Sequence, residues 1–212
     1  MSRLLDRGLE ELTTTLLKMG DVAEKTVRTA TAGFMDGKNV SDDVQELSEL
    51  LLMMTVSVED KAFELIIRYQ PVASDLRIIN SYMKIAYDFE RFGRYSLDIS
   101  LTHQKFAYPE KCAYAWDLME KLIDKVMLMI RTSIEALKDN SGEMTKTLAK
   151  IENEVDDMFS AYLDKLSKAP PDAKCTICTA LVAKYLERIA DHATYVGEAI
   201  YYIANGQKIS LR

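Results

Sequence analysis

The sequence predicts an all-α fold: six long helices arranged as two tandem, pseudo-repeated three-helix bundles. Three observations point there. The 212 residues include only 8 Gly and 4 Pro, and 48% are hydrophobic against 28% charged, a helix-favouring composition. Apolar residues recur at steps of three and four, with no competing alternation. A stretch in the first half also returns in the second. Glu90-Arg91-Phe92-Gly93 aligns with Glu187-Arg188-Ile189-Ala190, and the next position is Arg94 in one copy and Asp191 in the other.

Punctuation sets the elements in order. The first helix is expected from about Arg3 to Asp36, where Asp36-Gly37 ends it. Ser41, as the capping residue followed by Asp42 and Asp43, opens the second, which reaches Tyr69 before Gln70-Pro71 breaks the pattern. The third runs from about Val72 to Gln104, with Ser74 or Asp75 as its cap. Lys105 to Glu110, containing Pro109, is the expected boundary, so the first bundle takes residues 1–106 and the second 107–212. The fourth helix spans about Glu110 to Lys138 and ends at Asp139-Asn140-Ser141-Gly142. The fifth stops at Lys168 before Ala169-Pro170-Pro171-Asp172, and the sixth runs from Ala173 to Asn205 and Gly206. In the fourth, Met119, Ile123, Val126, Ile130, Ile134 and Leu137 form the apolar stripe. In the sixth it is Cys178, Val182, Tyr185, Ile189, Ala193, Val196, Ile200 and Ile203. Three such rods joined by short loops make an antiparallel bundle.

Charge and segment lengths exclude several classes. A net charge of −6 gives no general attraction for nucleic acid. No apolar run reaches the roughly 20 residues a membrane helix needs, and the charged N-terminal stretch is not a secretory signal. Three cysteines make no disulfide framework, so a cytoplasmic address is expected. There is no nucleophile–base pair and no Gly-rich phosphate cradle, so the chain is not read as an enzyme.

The chemistry concentrates in acidic pairs. Glu187 and Asp191 are four apart and share one helical face, at the margin of the apolar arc, with Glu198 two turns on pointing the same way. Glu152 and Asp156 repeat that spacing on the fifth helix. Antiparallel neighbours would set the two pairs across a groove. There their repulsion calls for raised pKa values or a cation, and all-oxygen ligands suit Mg²⁺, Mn²⁺, Ca²⁺ or oxidised iron. A solvated acidic face has the same spacing, and the sequence leaves both readings open.

At these residues the chain resembles the PhoU family of phosphate-uptake regulators. RYQPVASDLRIINSYMKIAYDFERFGR from Arg68 and LERIADHATYVGEAIYYIANGQ from Leu186 are similar to that family's repeated elements. The resemblance implies a metal-ligating motif on the second and third helices of each bundle. It places the motif here on Glu152, Asp156, Glu187 and Asp191, with iron first among the ions and Mg, Mn, Ca or Zn as others. It also implies a cytoplasmic adaptor that negatively modulates a phosphate transporter at the membrane's cytoplasmic face, with a sensor kinase as a further partner; a homodimer is expected because long amphipathic bundles often leave one face to bury. The first half departs from the motif: Arg94 replaces the acid after Glu90, and the second-helix positions fall on Ser48 and Leu52, or on Glu49 and Met53 one residue along. A lost first-half site is expected, with Arg94 pairing with Glu90.

Other residues carry smaller expectations. Cys175 and Cys178 form a CxxC without a strand context, and are read as small apolar residues at the start of the sixth helix. His192 touches either a ligand or an adjacent helix, and His103 serves its helix C-terminus. Asp75 and Arg77 are read structurally. Arg91 and Arg188 should form ion pairs pointing away from the acidic face. Met53-Met54 cannot share one face, which puts one of them at an interface; Met127 and Met129 are core filler. A non-catalytic scaffold without metal is the alternative function. A carboxylate-bridged metalloenzyme is disfavoured because neither histidine has a Glu three residues before it.

Overall fold

A computed structural model of the chain describes residues 4–106, 115–168 and 171–211. Six helices fill it: α1 Leu4–Asp36, α2 Ser41–Tyr69, α3 Ala73–Phe106, α4 Trp116–Asp139, α5 Met144–Lys168 and α6 Ala173–Asn205. The ends follow the expected punctuation. Gly37 takes a positive φ of 71° while Lys38 N–H reaches back to Gly33 O, and Gly206 ends α6 with φ 72°. Asn140 ends α4 in the same left-handed region, and Ser141 N–H donates to Ala136 O.

Two local expectations need correction. Ser41 is the first helical residue, not the cap; Asn39 Oδ1 accepts from its backbone N–H and its hydroxyl. Ser74 and Asp75 lie inside the first turn of α3. The acid that does cap a helix is Asp172, whose carboxylate accepts from Lys174 and Cys175 N–H at the start of α6. The expected interdomain boundary and the start of α4 fall largely on residues 107–114, outside the described residues.

Helices α1–α3 pack on one another, as do α4–α6, giving two three-helix bundles. One continuous core runs through both. The bundles meet along α1 with α4 and, most extensively, along α3 with α6. The α1–α4 contact depends on Gly20, where a Cβ would stand 2.9 Å from Ile134 Cγ1. At the α3–α6 seam the chains run antiparallel. Asp88 meets His192, Tyr95 stacks on Tyr185, and Arg77 lies over Tyr202. In the register that sets Glu90 on Glu187, Asp88 corresponds to Tyr185 and Tyr95 to His192. The Asp88–His192 and Tyr95–Tyr185 contacts are thus one contact made twice about a pseudo-twofold axis, the arrangement of an isologous interface within a single chain.

Phe89 and Phe92, fully buried beside this seam, each contribute about 2–3 kcal/mol by leaving water. On the other side of α3, Gly93 admits α2: an added Cβ would stand 2.6 Å from Leu51 Cδ1 and 3.3 Å from Ser48 Cα. A β-branched side chain there meets backbone, and the few tenths of a kcal/mol it gains in helix propensity over Gly do not offset that. Gly93→Val should therefore cost about 1–3 kcal/mol in guanidinium unfolding. Stability unchanged in that measurement would show that α2 and α3 do not approach as described.

Candidate functional site: the acidic pairs and the seam between the bundles

The four expected ligands sit on α5 and α6 as anticipated, but their surroundings differ. Glu152 is buried, at 3% exposure, whereas Asp156 is exposed. Asp191 lies deeper than the margin of the arc, at 4% exposure. Lys184 Nζ stands 2.7 Å from Glu187 Oε2, and Arg188 reaches Asp191 Oδ2 at 3.3 Å and Glu187 Oε2 at 3.8 Å. Arg188 therefore bends over the acidic face, contrary to the expectation that it would point away. The repulsion between Glu187 and Asp191 is relieved by two cations of the same helix. Lys184 also lies over the Phe159 ring of α5 at 5.2 Å.

Among the described residues, no three His, Cys, Asp or Glu side chains come together as a group able to hold a metal ion. Glu198 belongs elsewhere: its Oε1 accepts from Leu211 N–H, and it faces a cavity shared with α3. The arrangement does not fit a resident ion, because the two best-placed carboxylates already hold Lys184 and Arg188. In the first half, the position Ser48 is buried in close contact with Gly93, while Leu52 and Met53 point to solvent. Arg94 is exposed, and with Arg91 it offsets part of the burial that raises the Asp98 carboxyl. Among the described residues Arg91 forms no ion pair of the expected kind; it donates to Tyr95 Oη at 2.9 Å and stacks over that ring at 4.7 Å.

The cysteines and His103 also depart from expectation. Cys175 is disulfide-bonded, and Cys178 is a free, buried thiol raised to about 11 by its burial. The pair is therefore no dithiol, and a cytoplasmic address cannot rest on the cysteine count. His103 is buried edge-on to Phe34 at 5.9 Å, and burial holds its pKa below the usual histidine value. It meets Phe34 as a neutral ring rather than as a cation at the helix end.

The most developed polar feature lies between the bundles, where sequence reading had left His192 open. His192 Nδ1 and Asp88 Oδ1 are 2.8 Å apart, with Tyr87, Tyr95 and Tyr195 around the imidazole. Burial pushes the Asp88 carboxyl up, and the bond to His192 pulls it partly back. Asp88 stood inside the duplicated stretch all along. Its signal was its exchange with a tyrosine between the two copies.

Two outcomes follow from this geometry. Because the native state holds the Asp88 proton more tightly than the unfolded chain, Asp88 favours folding most below its ordinary value of 3.8. That contribution is lost as pH rises through the folded value. Asp88→Asn should flatten this part of the stability–pH curve. Asp88→Ala should cost about 1–3 kcal/mol, because it leaves a buried imidazole nitrogen without its partner; denaturant titrations from pH 4 to 7 read both. For the acidic pair, Lys184→Ala with Arg188→Ala should raise the affinity for Mn²⁺ or Fe²⁺ above that of the parent, read by calorimetric titration and elemental analysis. Equal and tight binding by the parent would refute cation neutralisation.

A family model described as the PhoU domain matches the chain twice, over residues 16–102 and 119–200. A Clostridium acetobutylicum protein named phosphate-specific transport system accessory protein PhoU homolog is 27% identical, covering 99% of this chain and 98% of its own. A Rhizobium meliloti protein of the same name is 29% identical, covering 95% and 87%. The crystal structure of PhoU from Pseudomonas aeruginosa superposes with a TM-score of 0.90 at 23% identity, over 95% of this chain and 99% of that one. The phosphate transport system regulatory protein PhoU from Streptococcus pneumoniae gives 0.73 at 18% identity, over 97% and 99%. With the domain present in both halves and the six-helix architecture shared, the chain belongs to the PhoU family.

Proposed function

We propose that this chain is a non-catalytic accessory regulator of phosphate uptake that lowers the activity of a phosphate transporter by docking on its cytoplasmic side. Its relatives carry the name of a transport accessory protein along almost their whole length. The structural observation that carries the reading is the outer face of α2. Leu52, Met53, Val56, Phe63 and Ile67 are 49–75% exposed there, at steps of one, three, four and seven residues along one side of the helix. Glu49, Glu59 and Asp60 stand exposed among them. An apolar helix stripe of this length marks a contact surface, and its acidic flanks select a partner segment with an apolar face and basic edges.

No helix among the described residues is long and apolar enough to cross a membrane. A homodimer closed across the same stripe would set these acids against one another, which favours a transporter segment as its occupant. Met53 fits the expected interface role; Met54 is packed against the core.

Phe63→Ala with Ile67→Ala should leave stability within about 0.5 kcal/mol yet weaken binding to transporter-bearing inverted membrane vesicles at least tenfold on the scale of an interface hot spot. Phosphate uptake by cells carrying this variant should rise. Undiminished binding by the variant would remove α2 as the docking face. No binding by the parent would remove the adaptor reading itself.

A further inference from the structure

A cavity of about 300 Å³ opens between α3, α6 and the segment that follows Gly206, near the lower end of the size range of small-molecule sites. Its walls combine two kinds of surface. Tyr87, Tyr195 and Tyr202 supply rings, while Lys84, Lys208 and Ser81 supply donors. Ser81 is 1% exposed, and its Oγ has no hydrogen-bond partner. One turn before it on α3, the Arg77 guanidinium lies over Tyr202 at 5.7 Å, with its buried Nε likewise unpartnered. Lys208 approaches the same ring at 5.7 Å. Neither Lys84 nor Lys208 forms an ion pair within 4 Å with a described acid.

The acids of this wall already have protein partners. Asp88 is bonded to His192, and Glu198 Oε1 accepts from Leu211 N–H. Two lysines and an orphaned hydroxyl thus face one carboxylate outside the Asp88–His192 pair. Buried donors without acceptors are rare in folded proteins, and Ser81, whose hydroxyl is one of them, lines the open space.

The duplication provides an internal comparison. In the register that sets Glu90 on Glu187, Ser81 corresponds to Cys178, Lys84 to Leu181 and Glu198 to Leu101. The other end of the seam is therefore built from apolar residues at these positions. The polar lining is not something that the packing of α3 on α6 requires.

We infer that this crevice binds a small organic phosphate with an aromatic ring, of mononucleotide size. Its phosphate would sit among Lys84, Lys208 and the Ser81 hydroxyl, with its ring against the tyrosines. Charge-assisted bonds to phosphate supply the affinity, and stacking on phenol faces selects the ring. The inference goes beyond the transporter reading and does not depend on it, since the lining residues lie on α3, α6 and the following segment rather than on α2.

The test is calorimetric titration of the full chain with AMP, and separately with inorganic phosphate and adenosine. AMP should bind, with each fragment at least about tenfold weaker. Lys84→Ala with Lys208→Ala should weaken AMP by at least about tenfold, whereas Tyr87→Ala should weaken AMP and leave inorganic phosphate unchanged. All three side chains are exposed, and helical circular dichroism verifies that the variants fold. No heat with any titrant would overturn the site, as would AMP binding that ignores both lysines. Inorganic phosphate binding as tightly as AMP would overturn the aromatic half, and adenosine binding as tightly would overturn the phosphate half.

Discussion

The antiparallel seam of α3 on α6 is the constraint on which the other features depend. Each helix serves one bundle on one side and the opposite bundle on another, so each must be buried around much of its circumference. Small residues make this possible. Gly93 brings α3 against α2, and Gly197 performs the same service for α6, where an added Cβ would stand 2.6 Å from Leu148 Cδ1. Within the seam, the hydrogen-bonded pair of Asp88 with His192 is enclosed by aromatic rings. Such a pair adds little net stability over an apolar replacement, but losing one partner strands the other in a medium that solvates it poorly. Sliding α6 by one turn would bring that penalty, so the pair fixes the register between the halves.

Duplication gave both halves the same helix skeleton, and the corresponding spots have since been filled differently. Where the first half brings Ser48 to Gly93, there is backbone approach and no space for a ligand. Where the second half keeps Glu187 and Asp191, Lys184 and Arg188 neutralise them. At 13% side-chain exposure, Glu187 is dry enough for its charge to need compensation, and a lysine three residues earlier supplies it without any external ion. The Glu187 Oε2 atom still lacks a well-aligned hydrogen bond despite this ion pair. Compensation there is by charge proximity more than by directed bonding.

Much of the fold was legible because helices announce themselves locally. Asp36-Gly37, Gln70-Pro71, Asn140 and Gly206 end helices through their own backbone preferences, and the apolar stripes record which face is inside. The site was legible only in part. Glu187 and Asp191 share a face by spacing alone, but the direction of Arg188 was not readable from position. Its Cα lies about 100° from that of Glu187, yet a side chain of that length spans one turn and reaches Asp191. Asp88 and His192 meet across two helices from different halves. No periodicity within either helix encodes that register, and only the exchange of Asp88 for Tyr185 and of Tyr95 for His192 between the copies hinted at it.

The seam also separates the proposed docking stripe from the proposed crevice site while keeping them mechanically connected. The exposed stripe lies on α2, which packs on α3, and α3 forms one wall of the crevice while α6 and the segment after it form the rest. A ligand in that crevice touches both halves of the molecule at once. It changes the α2 surface only if two arrangements of the halves exist and the ligand binds one of them more tightly. The shift is then limited by the ratio of the two affinities, however tightly the ligand binds overall. Lys208 and Ile209 bring the segment after Gly206 to the crevice wall, and the Leu211–Glu198 bond ties its end to α6. The enclosed Asp88–His192 pair resists any rearrangement that would pull α3 away from α6.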